Sequence, residues 1–328
     1  MTKVRDIGEQ GLLSKLQRFC PPGVVGDDAA VLTITPGKSP VVTTDVLVDG
    51  VHFSDRTTSA QQVGWRSVTA NLSDLAAMGA SPLGITVGLS LEGETPVSWV
   101  EALYQGMSDC LKLYNTPIVG GDICASRVNT VAITALGEVV SDRAFTRFQA
   151  QPGDVILITG YHGASRAGLE CLLHREVATI LAPEALKYLL KAHQQPLPRL
   201  DVIPPLREIL PETTITAMDS SDGLADAILQ ICRCSGVGAE IDLQLLSILP
   251  ILEQYFPSQA LNWTLYGGED FELVLCLPEK AAQKVQQFLG KPSEIIGRIT
   301  QGNQVKLIDS GNTNYSVLLN LKEGFQHF

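Results

Sequence analysis

Apolar runs rich in valine, isoleucine and threonine alternate along this chain with segments of helical periodicity, and this alternation restricts the fold more than any other feature. β-Branched residues favour extended backbone, so the runs predict strands. The segments between them repeat apolar residues at helical spacing. The predicted strands are Val41–Val46, Leu83–Leu91, Val128–Val140, Val155–Thr159, Thr213–Met218 and Phe271–Leu277, and the predicted helices are Ser59–Met78, Pro96–Tyr114, Ala164–Arg175 and Ser221–Ser235. The pattern indicates a mixed α/β fold.

The length of the chain predicts two domains. It has 328 residues, and a typical single domain has about 100–150. The turn Gln151–Asp154 precedes a new predicted strand, so we expect domains at residues 1–150 and 151–328. The Pro-rich stretch Gln195–Pro205 predicts a loop within the second domain. Hydrophobic residues make up 45% of the chain, which is ample for a packed core.

Charge and cysteine content exclude several classes of partner. The net charge of -11 argues against nucleic acid or an anionic membrane surface. No apolar stretch reaches the roughly 18 residues of a membrane span, and the first residues lead into no signal core. The seven cysteines form no CxxC pair, which suits a reducing compartment, so we expect a cytoplasmic protein. Cys232 and Cys234 lack a second ligand pair for zinc and are predicted to pack within a helix.

Aspartate recurs, often beside glycine, where predicted extended segments end. The examples are Gly26–Asp28, Thr43–Asp45, Gly120–Asp122, Asp219–Gly223 and Gly267–Asp270. Each loop taken singly has an ordinary explanation, because Asp and Gly form turns and Asp caps helices. Asp27 fits a plain turn residue, and Asp222 fits a cap for the helix that follows. Ligands of α/β sheets gather at the carboxyl ends of strands, so we expect the loops to converge on one site.

Convergent carboxylates repel one another unless cations neutralise them. Few lysines or arginines lie near these loops in sequence, and hard divalent cations are the natural partners of clustered aspartate oxygens. Mg²⁺ commonly completes its shell with phosphate oxygens. An acidic pocket that binds a polyphosphate through Mg²⁺ is therefore self-consistent. Asn71 and Asp74 share one face of a predicted helix with small neighbours, and their spacing fits equally a satisfied core network or a ligand site.

The common nucleotide-binding and hydrolase motifs are missing. Gly37-Lys38-Ser39 resembles the end of a P-loop, but Leu32 stands where the first glycine is required. The chain has no GxGxxG after a strand, no protein-kinase signature set and no GxSxG nucleophile elbow.

The acidic motifs, taken in order, resemble those of thiamine-monophosphate kinases. The resemblance rests on Gly26–Ala30, Thr43–Asp45, Asn71–Ala80, Gly120–Asp122, Asp219–Leu224 and Gly267–Asp270, and runs to the segment Glu323–Phe328. It implies the α/β (α+β), two-domain fold of aminoimidazole ribonucleotide synthetase. In that fold the N-terminal domain binds ATP and Mg²⁺ and forms a homodimer interface, and the C-terminal domain closes the active site. It also implies the transfer of phosphate from ATP to thiamine monophosphate.

The resemblance also implies roles for individual residues. The Mg²⁺ ligands would be Asp28, Thr43, Thr44, Asp45, Asp74, Asp122, Asp219 and Asp222. The residues contacting ATP would be Gly121, Asp122, Arg147 and Ser221, and those contacting thiamine monophosphate would be His52, Glu269 and Phe325. Small or hydroxyl residues usually follow the Gly-Gly-Asp motif in this family, whereas Ile123-Cys124 follow it here.

No side chain is expected to act as an indispensable catalytic base. A phosphate monoester has a second pKa of about 6 and is already charged at pH 7, so it can attack without one. Positioning and cations then supply the catalysis.

Three alternatives remain open at the level of sequence. The first is another enzyme of the same superfamily, such as aminoimidazole ribonucleotide synthetase or selenophosphate synthetase, although Cys20 poorly matches the reactive residue of the latter. The second is a partner-binding maturation factor, which typically exposes a C-terminal cysteine. The third is a sensor that binds Mg-ATP without producing ADP.

Overall fold

A computed structural model describes residues 1–25, 28–312 and 314–324 and divides the chain into two compact units. The first comprises Met1–Leu75 and Ala80–Asp142, and the second comprises Ala76–Gly79 and the described residues from Arg143 onward. The division falls a few residues before the predicted boundary at 150/151. None of the helices among the described residues is long and apolar enough to cross a bilayer.

The first unit contains a four-stranded sheet and three α-helices. The elements are α1 (Val4–Leu16), β1 (Lys38–Val48), α2 (Ala60–Ala77), β2 (Ser81–Leu91), α3 (Val97–Lys112), β3 (Ile118–Ala125) and β4 (Thr130–Val140), with a short 3₁₀ turn at Gln17–Phe19. The strand order is β1-β4-β2-β3, and only β2 and β3 run parallel. The connection between those two strands is a crossover through α3, as parallel pairing requires.

One face of this sheet is buried and the other is largely open. Ile85, Val87 and Ile133 are fully buried, and Leu75 of α2 packs against Gly137 on the buried face. On the other face, Val42 and Val46 are 67% and 46% exposed. Strand alternation produces this division, because successive side chains point to opposite faces.

The helices α2 and α3 approach each other through two glycines. A Cβ at Gly64 would lie 1.9 Å from the carbonyl oxygen of Leu103, and one at Gly106 would lie 1.8 Å from that of Gln61. Real Cβ atoms do not come so close to an oxygen, so only glycine fits at either position. The close approach of α2 to α3 is therefore made at Gly64 and Gly106.

The second unit contains a seven-stranded mixed sheet of order β11-β10-β7-β9-β5-β8-β6. Its strands are β5 (Val155–Ile158), β6 (Thr216–Asp219), β7 (Gly238–Asp242), β8 (Leu273–Leu277), β9 (Glu294–Thr300), β10 (Val305–Ile308) and β11 (Ser316–Leu318). Its helices are α4 (Ala164–Leu173), α5 (Arg175–Ala178), α6 (Pro183–Gln194), α7 (Ile203–Ile209), α8 (Leu224–Ser235), α9 (Pro250–Tyr255), α10 (Ala260–Tyr266) and α11 (Glu279–Leu289), with 3₁₀ turns at Arg199–Val202 and Leu321–Glu323.

Every residue of β5, β6 and β8 is buried. Helix α8 packs along β6, β7, β8 and β10, while α11 packs along β5, β8 and β9. Strands buried on both faces are typically unbroken apolar runs, and β5 and β8 fit this pattern, whereas β6 begins with Thr216 and ends with Asp219. Cys232 lies on the buried face of α8, within the core, which confirms its predicted packing role, while Cys234 of the same helix is half-buried.

The mixed α/β fold is as predicted, and all ten predicted elements exist with bounds shifted by a few residues. Three of the acidic motifs, however, are not loops at the ends of strands. Thr43–Asp45 lies inside β1 and Gly120–Asp122 lies inside β3, while Gly267–Asp270 precedes β8 instead of following a strand. For the motifs in β1 and β3, the error arose because an aspartate was taken to mark the end of a strand, although ladder pairing with a neighbour carries the strand past it.

Candidate active site

In the first unit, two of the predicted metal ligands are in direct contact. The hydroxyl of Thr43, on β1, donates a hydrogen bond to the carboxylate of Asp74, on α2. One turn earlier on the same helix face, the Asn71 side-chain oxygen accepts the backbone N–H of Asp45 at 3.2 Å. Strand alternation places Thr43 and Asp45 on this same face of β1. Asn71 and Asp74 of α2 therefore face Thr43 and Asp45, the predicted ligands on β1.

This cluster offers the oxygen donors that a hard cation prefers. Its groups are carboxylates, a hydroxyl and an amide oxygen, with no thiol or imidazole among them, and such a set suits Mg²⁺ better than Zn²⁺. Across residues 1–25, 28–312 and 314–324, no three His, Cys, Asp or Glu side chains form a group that could hold a metal ion. The fit to Mg²⁺ therefore rests on Thr43, Asp45 and Asp74 as oxygen donors.

Two other predicted ligands of the first unit lie on the opposite face of its sheet. The Thr44 hydroxyl is 2.8 Å from that of Thr134, its cross-strand neighbour. Asp122 is exposed and pairs in register with Gly88, which shares that face with Thr44. Asp28 is also exposed. The structure thus separates Thr44 and Asp122 from the Thr43–Asp74 contact.

Gly121 has a packing reason to be glycine. A Cβ there would lie 2.2 Å from the carbonyl oxygen of Val87 on the neighbouring strand. The close approach of β3 to β2 therefore requires glycine immediately before Asp122.

His52 lies in a tight turn that follows β1. Its Nδ1 accepts the backbone N–H of Val48 at 3.1 Å, so a neutral ring carries its proton on Nε2. The buried guanidinium of Arg66, on α2, donates to the His52 carbonyl oxygen at 2.9 Å. Arg66 had no predicted role, and no local sequence pattern marks it, because its partner is a backbone atom 14 residues away.

In the second unit, two of the predicted loops lie against each other. The backbone N–H of Glu269 donates to the carbonyl oxygen of Ser221 at 2.7 Å, and that of Ser220 donates to the carbonyl oxygen of Glu272 at 2.9 Å. The loops meet because β6 and β8 are antiparallel, which puts the end of one strand beside the start of the other. Ser221 and Asp222 therefore lie beside Gly268 and Glu269, while the buried Asp219 ends β6 opposite Leu273.

Glycines permit this contact between the loops. A Cβ at Gly268 would lie 2.6 Å from the Ser221 oxygen, and one at Gly223 would lie 3.1 Å from the Gly267 oxygen. Gly223 has a φ of 108° and is the N-cap of α8. Asp222 therefore does not occupy the cap position that was its ordinary explanation.

A buried polar network lies beneath the two loops. Nε2 of His162 is 3.0 Å from the Ser220 hydroxyl, and burial lowers the pKa of His162 to about 4. Thr159 and Arg199 donate to the Glu272 carboxylate, and burial raises the pKa of that carboxyl although Arg199 opposes the rise. Burial also raises the pKa of Asp270 to about 7, against the effect of two backbone N–H donors.

Arg147 lies in the second unit, half-buried, and its carbonyl oxygen accepts the Ser235 hydroxyl at 3.0 Å. Burial raises the pKa of Asp226, and the nearby charge of Arg147 partly opposes that rise. The predicted substrate contact Phe325 lies outside the described residues.

Comparison with known proteins identifies the family. The AIR synthase related protein N-terminal domain matches residues 26–139, and the corresponding C-terminal domain matches residues 151–310. A thiamine-monophosphate kinase of Synechococcus elongatus is 49% identical over 327 residues, covering 98% of this chain and 97% of that protein. The chain belongs to the thiamine-monophosphate kinase family.

Solved structures agree with that membership. The structure of AaThiL complexed with AMPPCP and TMP is 29% identical, covers 100% of this chain and 99% of its own, and has a TM-score of 0.75. The hydrogenase maturation protein HypE of Escherichia coli reaches a TM-score of 0.78, with 95% and 97% coverage, at 20% identity. The similarity to HypE concerns the fold alone, so it does not support a role for this chain in hydrogenase maturation.

Proposed function

We propose that this chain is an ATP-dependent kinase that phosphorylates thiamine monophosphate to thiamine diphosphate. The observation that carries the proposal is the near full-length identity of 49% to a thiamine-monophosphate kinase. The binding of AMPPCP and TMP by AaThiL, a structural neighbour over the whole chain, supports ATP as the donor and TMP as the acceptor. We propose that residues 1–150 bind ATP and Mg²⁺ and that residues 151–328 contribute to closing the active site.

For the metal, we propose Thr43, Asp45 and Asp74 as ligands of one ion. Mg²⁺ bound there would neutralise phosphate charge during transfer. Thr44 and Asp122 lie on the other sheet face, so they would serve a different ion. Asp28, Asp219 and Asp222 stay predictions as ligands of the remaining ions.

For the nucleotide, we propose Gly121 and Asp122 in the first unit and Arg147 and Ser221 in the second. A guanidinium binds phosphate oxygens through paired N–H donors, which suits Arg147 in an otherwise acidic chain. The absence of a side chain at Gly121 lets β3 approach β2 closely, and this close pairing fixes the position of Asp122 beside Gly88.

For the acceptor, we propose His52 and Glu269. His52 presents Nε2–H as a donor because its Nδ1 is engaged by Val48. Glu269 is one-third exposed, so its carboxylate is accessible to a cationic ring system. Phe325 stays a prediction. The acceptor phosphate is charged at pH 7 and needs no general base, so the protein residues serve to orient the two phosphates and offset their repulsion.

We further propose a cytoplasmic homodimer formed through the open face of the four-stranded sheet. Val42, Val46 and Val140 are 67%, 46% and 49% exposed on that face, and large exposed apolar patches mark interaction sites. The test is light scattering on V42K/V46K, which should be monomeric where the wild type is dimeric. A wild-type protein that is itself monomeric would contradict the proposal.

The function is tested by ADP production with Mg-ATP. Thiamine monophosphate, free thiamine, pyridoxal phosphate and formylglycinamidine ribonucleotide are compared as acceptors. We expect turnover with thiamine monophosphate alone, lost on addition of EDTA and restored by excess Mg²⁺. Mg-ATP binding without turnover would contradict the kinase function and favour a sensor, and turnover with another acceptor would favour a different member of the superfamily.

A further inference from the structure

The backbone of the Gly267–Phe271 loop is strained at two residues. Glu269 and Phe271 have φ values of 66° and 54°. Residues with side chains rarely adopt this left-handed region, and they keep it only where their surroundings hold them. Glu269 is the proposed contact for thiamine monophosphate, so whatever holds this loop also sets the direction of the Glu269 carboxylate.

Asp270, between the two strained residues, joins the loop to the start of α4. Its carboxylate accepts the backbone N–H of Gly163 at 2.6 Å and that of Ser165 at 2.9 Å. The N-cap of α4 is Gly163, which has no side chain to cap the helix itself. Asp270 therefore satisfies two N–H groups of the first turn of α4 from a position 105 residues away.

The same helix turn also approaches the side chain of Glu269. The Ser165 hydroxyl is 3.1 Å from Nδ1 of the buried His193, on α6. That nitrogen is 3.6 Å from a carboxylate oxygen of Glu269. Displacement of the loop from α4 would therefore change the surroundings of Glu269 as well as its backbone.

We propose that Asp270 is a positioning residue, whose anchorage to the first turn of α4 holds Glu269 in the orientation that binds the acceptor. This inference rests on the proposed function. It assigns Asp270 no contact with either substrate, so Asp270 acts through Glu269.

The test is the substitution D270N, which keeps the volume but gives the side chain one acceptor oxygen and an NH₂ group. The NH₂ group would face one of the two N–H donors, so one bond is lost. We expect the KM for thiamine monophosphate to rise about tenfold, while kcat and the KM for ATP change by less than about threefold. Hydrogen exchange at residues 266–272 should become faster in the same variant. If D270N does not fold, D270S is measured in its place.

The control is D242N. The Asp242 carboxylate also accepts two backbone N–H bonds, from Gln244 at 3.0 Å and Ser310 at 3.1 Å, but both reach the same oxygen, so Asn removes the charge and can keep both bonds. It lies on β7, separated from β8 by β9 and β5. D242N should leave both KM values and the exchange at residues 266–272 unchanged.

A double-mutant cycle with E269Q decides whether Asp270 acts through Glu269. If it does, D270N should have less than about a twofold further effect on KM in the E269Q background. Equal effects of D270N in both backgrounds, or an unchanged KM despite faster exchange, would overturn the inference. Wild-type protein that does not phosphorylate thiamine monophosphate would instead overturn the proposed function, and unchanged exchange in D270N would still refute the anchorage.

Discussion

The Thr43 hydroxyl donates a hydrogen bond to the Asp74 carboxylate, and so joins the edge strand β1 to helix α2 across 31 residues of sequence. Asn71, one turn earlier on the same helix, accepts the N–H of Asp45. The spacing of Asn71 and Asp74 alone fitted a core network or a ligand site. In the structure, Asn71 and Asp74 form polar contacts between α2 and β1, the strand that carries the proposed ligands Thr43 and Asp45.

Replacing Asp74 should abolish most of the activity. D74N keeps the shape of the side chain but removes the charge that a hard cation requires. We expect kcat to fall by at least about 100-fold, with partial recovery at high Mg²⁺. The control is D109N, because the Asp109 carboxylate accepts hydrogen bonds from Gln61 and Gln105 on exposed helix surface. Near-normal turnover by D74N at ordinary Mg²⁺ would exclude Asp74 as a ligand.

Glu138 should make the first unit acid-sensitive. Hydrogen bonds from Lys38 and from the backbone and hydroxyl of Thr35 hold the pKa of Glu138 at about 2. A lowered pKa stabilises the folded state above the unfolded pKa of about 4.3, and this contribution is lost as pH falls toward 2.

In urea unfolding, E138Q should therefore be less stable than wild type at pH 7 and closer to it at pH 2.5. E94Q is the control, because Glu94 pairs with Lys3 at an exposed site where ion pairs contribute little. A constant stability difference between E138Q and wild type across this pH range would contradict the assignment.

Alanine should not fit at Gly106. The added Cβ would lie 1.8 Å from the Gln61 oxygen, so α3 would have to move away from α2. Overpacking of this kind costs about 3 kcal/mol of unfolding free energy. The control is G93A, whose Cβ would meet only the Cβ of Arg5, at 3.5 Å. Equal unfolding midpoints for G106A and G93A would show that the two helices can separate without cost.

His162 should remain neutral well below pH 6. Burial lowers its pKa to about 4, from about 6.5 in the unfolded chain. The unfolded state therefore binds the proton more tightly, and folding loses up to about 3 kcal/mol as pH falls from 6.5 to 4. The C2 proton resonance of His162, assigned by its absence in H162Q, should shift with a midpoint near pH 4. A midpoint near 6.5 would contradict the burial of an unprotonated ring.

Helices and strands were predicted correctly from the sequence where a single segment carries a clear hydrophobic periodicity. The helix Ser59–Met78 and the strand Leu83–Leu91 were recovered almost to their ends as α2 and β2. The strands β7 and β10 were not predicted, because Glu240 and Lys306 interrupt their short apolar runs, whereas β5 and β8 are equally short but wholly apolar. The amphipathic helix α6 was also missed, although Pro183 marks its first turn.

The acidic motifs themselves were visible in the sequence, but their grouping was not. Strand alternation puts Thr43 and Thr44 on opposite faces of the sheet. Helix α2 covers the face of Thr43, and Thr44 contacts Thr134 on the other face. The sequence of β1 alone does not show which of the two faces the helix covers. Asp270 was noticed only as the last residue of its motif. Its partners Gly163 and Ser165 are more than 100 residues away, so no local pattern reveals that contact.

The sequence by itself determined the mixed α/β class, the oxygen-rich acidic chemistry and the ordered motifs that place the chain in its family. These are properties of short segments, set by periodicity, residue type and spacing. Tertiary structure alone decided which motif residues meet, which lie on opposite faces and which are held by a distant helix. Those outcomes depend on strand register and antiparallel pairing, which join residues far apart in the chain and which local sequence does not specify.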